Sequence, residues 1–330
     1  MSTYKEISGT LVQKLSTDPP TPYDGQIWYN EDSGFVKFTG ASIAGAWSTG
    51  NNMGGTTYNH ARAGTQTAAL AVGGASPETN TESYDGTSWT ALNPTTENHR
   101  AAGGAGTQTS ALVFGGRTPS PVNDTDPDTE SWNGTSWTAV NDMNVGMQYG
   151  GGVGSSNTAA LRVAGGYPLF TATNNSESWN GTNWTATNPL NNNIRFNWAI
   201  GTETSALTAG GPGAFNPTGT IVEYWDGTSW TVGNSINAGY SLSSLQGFGT
   251  TSDGTMCGGS PNDDETYRYD GTSWTSGSLM NDGRDRGAGA GASGSAGVVF
   301  GRSDNVPGVA TTEEYNSPAV VTARVNLRNE

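Results

Sequence analysis

The stretch Tyr84-Asp85-Gly86-Thr87-Ser88-Trp89 returns as Trp132-Asn133-Gly134-Thr135-Ser136-Trp137 and as Trp179-Asn180-Gly181-Thr182-Asn183-Trp184. It returns again as Trp225-Asp226-Gly227-Thr228-Ser229-Trp230 and as Tyr269-Asp270-Gly271-Thr272-Ser273-Trp274. Asp-Gly and Asn-Gly between strand-type residues are the strongest short-range hairpin signal, because both residues tolerate positive φ. The leading aromatic therefore ends one strand, and the Trp opens the next.

Working outward, an apolar run closed by Gly-Gly alternates with this hairpin. It reads Leu70-Ala71-Val72-Gly73-Gly74, Leu112-Val113-Phe114-Gly115-Gly116 and Leu161-Arg162-Val163-Ala164-Gly165-Gly166. Further copies are Leu207-Thr208-Ala209-Gly210-Gly211, Met256-Cys257-Gly258-Gly259 and a decayed Val298-Val299-Phe300-Gly301-Arg302. From Gly73 to Gly301 the mean period is about 46 residues. Ahead of the runs lie tracts of small residues, such as Ala101-Ala102-Gly103-Gly104-Ala105-Gly106 and Gly287-Ala288-Gly289-Ala290-Gly291. Glycine weakens a strand unless another backbone must come close, and the innermost strands of a propeller converge on its axis. Four strands per period and six periods predict an all-β, six-bladed β-propeller.

The sixth period has no hairpin of its own, since Glu314-Tyr315-Asn316 runs into Pro318. Trp47 supplies the missing member: the steps from Trp47 along the hairpin Trp residues to Trp274 are 42, 48, 47, 46 and 44. The organisation predicted is an extension over 1–43, a propeller over 44–318 closed by Trp47 beside Tyr315, and a strand-like tail over 319–330. In the extension, Gly25-Gln26-Ile27-Trp28-Tyr29-Asn30 and Gly34-Phe35-Val36-Lys37-Phe38 read as a β-hairpin. A lone hairpin is unstable and needs a surface to pack on. Trp28, Tyr29 and Phe35, with Val321 and Val325 in the tail, are therefore the candidate partner contacts.

Apolar run, Gly-Gly, variable loop, Glu-x-aromatic-Asp and Trp together are similar to the Kelch repeat, over residues 44 to about 316. The glutamate is Glu82, Glu130, Glu177, Glu223 and either Glu313 or Glu314. The hairpin is shorter than the usual Kelch one. The runs Ala-Gly-Thr-Gln-Thr-Ala-Ala-Leu (63–70) and Ala-Gly-Thr-Gln-Thr-Ser-Ala-Leu (105–112) resemble those of aquatic bacteriophage structural proteins. The segment 25–30 resembles a module of phage tail and fibre-like proteins. These resemblances imply a non-enzymatic virion protein of the tail or its appendages, partnered by other virion proteins and by a host surface glycan or protein. A lectin-like propeller is the alternative, and a polysaccharide or sialic-acid hydrolase a further one.

Composition narrows the partners. Among 330 residues, 29 acidic against 14 basic side chains give a net charge of −15. That balance argues against nucleic acid and against an anionic membrane surface. The 49 Gly, 11 Trp and 12 Tyr with 13% charged residues suit a turn-rich packed β fold. The N-terminus (MSTYKEISGTLVQKLS) lacks the apolar stretch of a signal peptide, so synthesis in a cytoplasm without export is expected; residence in a virion is what the phage resemblance implies.

Residues for chemistry are few. Two histidines, His60 and His99, and one cysteine, Cys257, make a zinc or copper site improbable on numbers alone. Asp124-Thr125-Asp126-Pro127-Asp128 resembles the start of a calcium loop, but Pro127 and the missing Gly and Glu break the pattern. Asp263-Asp264-Glu265 reads likewise as a solvated acidic loop. The hairpin superficially resembles the Asp-box of sialidases, yet Asp and Gly are adjacent here. Such enzymes also need converging Arg residues, whereas Arg62, Arg100, Arg117, Arg195, Arg284, Arg286 and Arg302 fall at unmatched repeat positions. No catalytic residue, cofactor or metal is expected. The repeated Trp residues read as inter-blade packing, leaving recognition to the loops 75–81, 117–129, 167–175, 212–220 and 303–311.

Overall fold

The computed structural model describes residues 13–17, 27–32, 35–38, 45–55, 58–75, 77–117, 125–166, 171–211, 220–238, 242–260, 263–303 and 309–317. Among the described residues there are no helices. Six four-stranded antiparallel sheets account for residues 45–317. Their innermost strands are Ala61–Thr65, Gly103–Thr107, Gly151–Ser156, Trp198–Gly201, Gln246–Gly249 and Ala288–Ser293. Each lies beside the next, and the last lies beside the first. The molecule is a six-bladed β-propeller. Blades are numbered here in that order.

The sixth blade is assembled from both ends of this unit. Val309–Asn316 pairs antiparallel with Ala46–Gly50, placing Tyr315 opposite Trp47. The ring centroids of that pair are 5.0 Å apart. In the other five blades the two aromatics that bracket the hairpin stack at 4.9 to 5.5 Å, so the sixth reproduces the contact without a connecting turn. A closed ring exposes no long sheet edge.

The apolar core is divided among the seams between blades. Blade 1 and blade 2 share Leu70, Val113 and Trp137, and each further seam has a cluster of its own. The second hairpin aromatic packs its ring in a seam, and in four blades its N–H anchors the seam as well. Trp47, Trp89, Trp137 and Trp184 each donate Nε1–H to a threonine hydroxyl of the preceding blade (Thr266, Thr312, Thr81 and Thr129) at 2.9 to 3.1 Å. Their strict recurrence is therefore inter-blade packing.

The hairpin itself differs in one respect from its sequence reading. Only the glycine takes positive φ, between 90° and 93° in all five copies. The preceding Asp or Asn instead accepts two amides at 2.7 to 3.0 Å, as Asp85 does from Thr87 and Ser88. A two-residue turn would need positive φ at both positions; this four-residue loop uses the side chain to cap itself.

A separate three-stranded sheet lies in the N-terminal region. Ile27–Asn30 pairs antiparallel with Phe35–Phe38, as the hairpin reading expects. On its other edge it pairs in parallel with Gln13–Leu15, a strand the sequence did not announce.

Two expectations follow. Trp47→Ala should cost about 3–5 kcal/mol, the range for a buried Trp, and match Trp137→Ala within error in urea unfolding; a near-neutral Trp47→Ala would contradict closure by this strand. The hairpin amides hold the Asp85, Asp226 and Asp270 carboxyls below their ordinary values. A depressed native pKa gives stability that is complete above the ordinary carboxylate range and lost as pH falls through the native value. The triple Asp→Asn variant keeps the amide acceptors, as Asn133 and Asn180 do naturally, so its stability should decline less between pH 5 and pH 2 (about the carboxylate range) in pH-resolved melting curves.

Candidate functional site

Recognition has to come from side chains that the ring does not already use. The repeat glutamate is used. Glu82, Glu130, Glu177, Glu223 and Glu313 hold equivalent positions on the third strands and are buried. Register thus assigns the sixth copy to Glu313 rather than Glu314. A buried carboxylate needs donors. Each takes backbone amides of an inter-blade link: Gly54 on Glu82 at 2.8 Å, Thr96 and Glu97 on Glu130 at 2.9 Å, Asn144 on Glu177 at 3.0 Å. Asn191 and Asn192 serve Glu223, and Asn281 and Asp282 serve Glu313.

Three of these carboxylates also meet a basic group. His99 Nε2 stands 3.2 Å from Glu130, Arg162 3.0 Å from Glu177 and Arg284 3.3 Å from Glu313. Burial alone would raise the Glu130 carboxyl, but His99 and the Thr96 and Glu97 amides outweigh it and hold it below its ordinary value. His99 and Arg284 therefore belong to the frame. Blade 5 does without the carboxylate, with Tyr267 in its place.

Sequence reading missed a further set. Asn51, Asn93, Asn141, Asn188 and Asn234 each follow a hairpin Trp by four residues. Each donates its amide to the carbonyl of Thr87, Thr135, Thr182, Thr228 or Thr272 in the next blade's hairpin, at 2.8 to 2.9 Å. Trp274 is followed instead by Ser278, and it faces the blade that has no hairpin turn.

What the frame leaves over gathers at one end of the axis. Asn59, Ala101, Tyr149, Phe196, Ser244 and Arg286, one at the start of each inner strand, have φ between 53° and 60°. Five of their amides donate to the neighbouring member's carbonyl at 2.8 to 3.0 Å, from Asn59 on Arg286 round to Ser244 on Phe196. These residues rim a cavity of about 50 Å³ whose wall includes His60 and Trp198. Tyr149 and Phe196 stack at 4.4 Å, and the Arg195 guanidinium lies 5.3 Å from the Phe196 ring. The second-to-third-strand connections leave from this same end, because antiparallel strands reverse in turn. They range from 167–171 in blade 3 to 115–128 in blade 2, whereas the third-to-fourth-strand hairpins at the opposite end are uniform.

The arginines do not share one target. Arg100 donates to the Tyr58 hydroxyl at 3.0 Å, with Glu78 at 3.7 Å, and Arg286 lies 3.4 Å from Asp285. Arg302 pairs with Asp282. Asp126 accepts the Asp128 amide at 3.0 Å, and burial followed by the Asp126, Asp142 and Glu97 carboxylates pushes Asp128 up to about 6. The backbone carbonyls of Asp263, Asp264 and Glu265 are tied to the amides of Arg284, Met280 and Gly258. Among the described residues, no three His, Cys, Asp or Glu side chains gather as a metal site requires. Of the candidate partner contacts, Trp28, Tyr29 and Phe35 lie on the N-terminal sheet, opposite Lys37, Val36 and Asn30. Tyr29 is partly exposed, with Lys14 Nζ 5.8 Å from its ring. Val321 and Val325 lie outside the described residues.

No protein-family model matches the chain, and no curated protein matches it in sequence. The fold is similar to that of YjhT. The likeness to that solved structure has a TM-score of 0.69 and covers 85% of this chain and 99% of that one, at 12% identity. Identity this low speaks to architecture alone.

Cys257 is buried in the seam between blades 5 and 6, and burial pushes its thiol well above the ordinary value. It should resist a thiol-reactive dye in the native protein at pH 8 and react at once in denaturant; rapid native labelling would show that this seam opens.

Proposed function

We propose that this protein is a non-enzymatic attachment propeller of a bacteriophage virion, carried on the tail or its appendages. The observation behind it is the division of labour between the two ends of the axis. Recurring Glu, Trp and Asn side chains hold the blades together and recurring Asp side chains cap the hairpins, while variation in loop length collects around the axial mouth. A rigid scaffold that displays irregular loops on one face is suited to binding. The virion assignment draws on the phage-like repeat wording and on the segment 25–30.

A glycan-binding role is the second reading, favoured by the Tyr149–Phe196 stack beside Arg195, since sugars lie well on aromatic faces. Mass spectrometry of purified particles should find the chain, and its absence there would dismiss the virion reading. Replacing 118–124 by a short turn should abolish binding to host cells while the melting temperature stays nearly unchanged. Glycan-array signals that vanish in Tyr149→Ala and Phe196→Ala would move recognition from the loops to the mouth.

A further inference from the structure

Arg62 is an oddity of position. Strand register makes Gly104, Gly152, Ala199, Gly247 and Gly289 its counterparts in the other blades, so it is the one large side chain in an axial ring of Gly and Ala. Its guanidinium crosses to the opposite blade, donating Nη2–H to the Ala199 carbonyl at 2.6 Å. It lies 4.8 Å from the ring of Trp198, whose own N–H is fixed on the Gly247 carbonyl at 2.8 Å.

Arginine carries five N–H donors. Among the described residues Arg62 makes that one hydrogen bond, and no described carboxylate comes within salt-bridge distance of it. Burial pushes the group down to about 10, which leaves it a cation at neutral pH. A chain of net charge −15 thus keeps an uncompensated positive charge on its axis. The side chain is half-buried, so its remaining donors stay accessible at the lumen wall, where a positive charge without a carboxylate beside it attracts an anion. The lumen beside it is a cavity of about 20 Å³, lined by Arg62, Gly103, Gly151 and Trp198. It shares His60, Ala102, Gly150 and Trp198 with the wall of the mouth cavity, so the two adjoin.

We propose that this axial lumen is an anion site, taking one small monovalent anion (a carboxylate or a halide) on the remaining donors of Arg62. Gly103, Gly104, Gly151 and Gly152 line the lumen, and the Trp198 ring lies against the guanidinium. The space admits a carboxylate group and excludes a sugar ring, whose pockets run to about 300 Å³ or more. The site is independent of loop-borne recognition, and either can fail without the other.

Bromide-soaked crystals of the full chain should show an anomalous peak against the Arg62 guanidinium, removed by acetate. In solution, excess broadening of the chloride NMR line by the wild-type protein should fall several-fold in Arg62→Gln and weaken on adding acetate. Glucuronate should not compete; if it competes as well as acetate, the site takes the carboxylate tip of a larger ligand, and the free-ion size limit is wrong. An empty lumen in the bromide crystals, or undiminished broadening in Arg62→Gln, would overturn the proposal. Should Arg62→Gln fail to fold, the wild-type crystal result decides alone.

Discussion

Where the inner strands of blades 1, 2 and 3 press together near the axis, their backbones leave no room for a Cβ at Gly104 and Gly152. A methyl on Gly104 would stand 2.5 Å from the Arg62 carbonyl oxygen, and one on Gly152 2.7 Å from the Gly104 backbone. Real Cβ contacts do not come so close, so glycine at these two positions is a condition of that close approach. From that close approach the rest follows. Blades pressed together at the axis fan out toward the rim, and the widening seams are filled by the large hairpin aromatics. Closure then requires that the last blade take its outer strand from the start of the unit, which is the office of Trp47.

Local backbone demands made much of this legible. Positive φ at the hairpin glycine and at Gly73-Gly74 or Gly115-Gly116 leaves a spelling that recurs. Blade 3 shows the limit of spelling. Arg162 pairs with Gly152 and Glu177, the place of Ala71 in blade 1, so Ala164 rather than Gly165 takes the first left-handed position, at φ 50°. The mouth residues were not legible because their side chains are unrelated. What they share is distance: twelve residues before the second-strand residue that faces the repeat glutamate (Tyr267 in blade 5), or thirteen in the two blades with a bulge in the first hairpin. Geometry, not chemistry, recurs there, and a motif search sees only chemistry.

The polar network shows the same division. A carboxylate fed by link amides, a threonine hydroxyl on an indole and an asparagine on a hairpin carbonyl each join parts that are distant in sequence. Such bonds fix blade spacing and crossing, because an unsatisfied buried group would cost roughly 1–3 kcal/mol. The basic partner of the carboxylate varies: His99 and Arg284 stand at one repeat position, two residues before the left-handed mouth residue, Arg162 comes from the second strand, and Glu82 and Glu223 are held by amides without a basic partner among the described residues. The link amides recur with each of the five glutamates, whereas the basic partner does not.

The axial mouth inverts that logic. Left-handed backbone costs an L-residue roughly 1–2 kcal/mol, and glycine avoids the cost. Among the described residues, nearly every other left-handed position is glycine, Ala164 being the exception. At the mouth all six are not, and five of them carry side chains larger than a methyl. The ring of amide-to-carbonyl bonds offsets the strain and keeps the backbone in place whatever the side chain is. A fold that uses glycine so freely elsewhere, yet holds Asn, Tyr, Phe, Ser and Arg in a conformation they resist, is retaining those side chains for what they face. They face the cavity above Arg62, at the end of the axis where the loops vary.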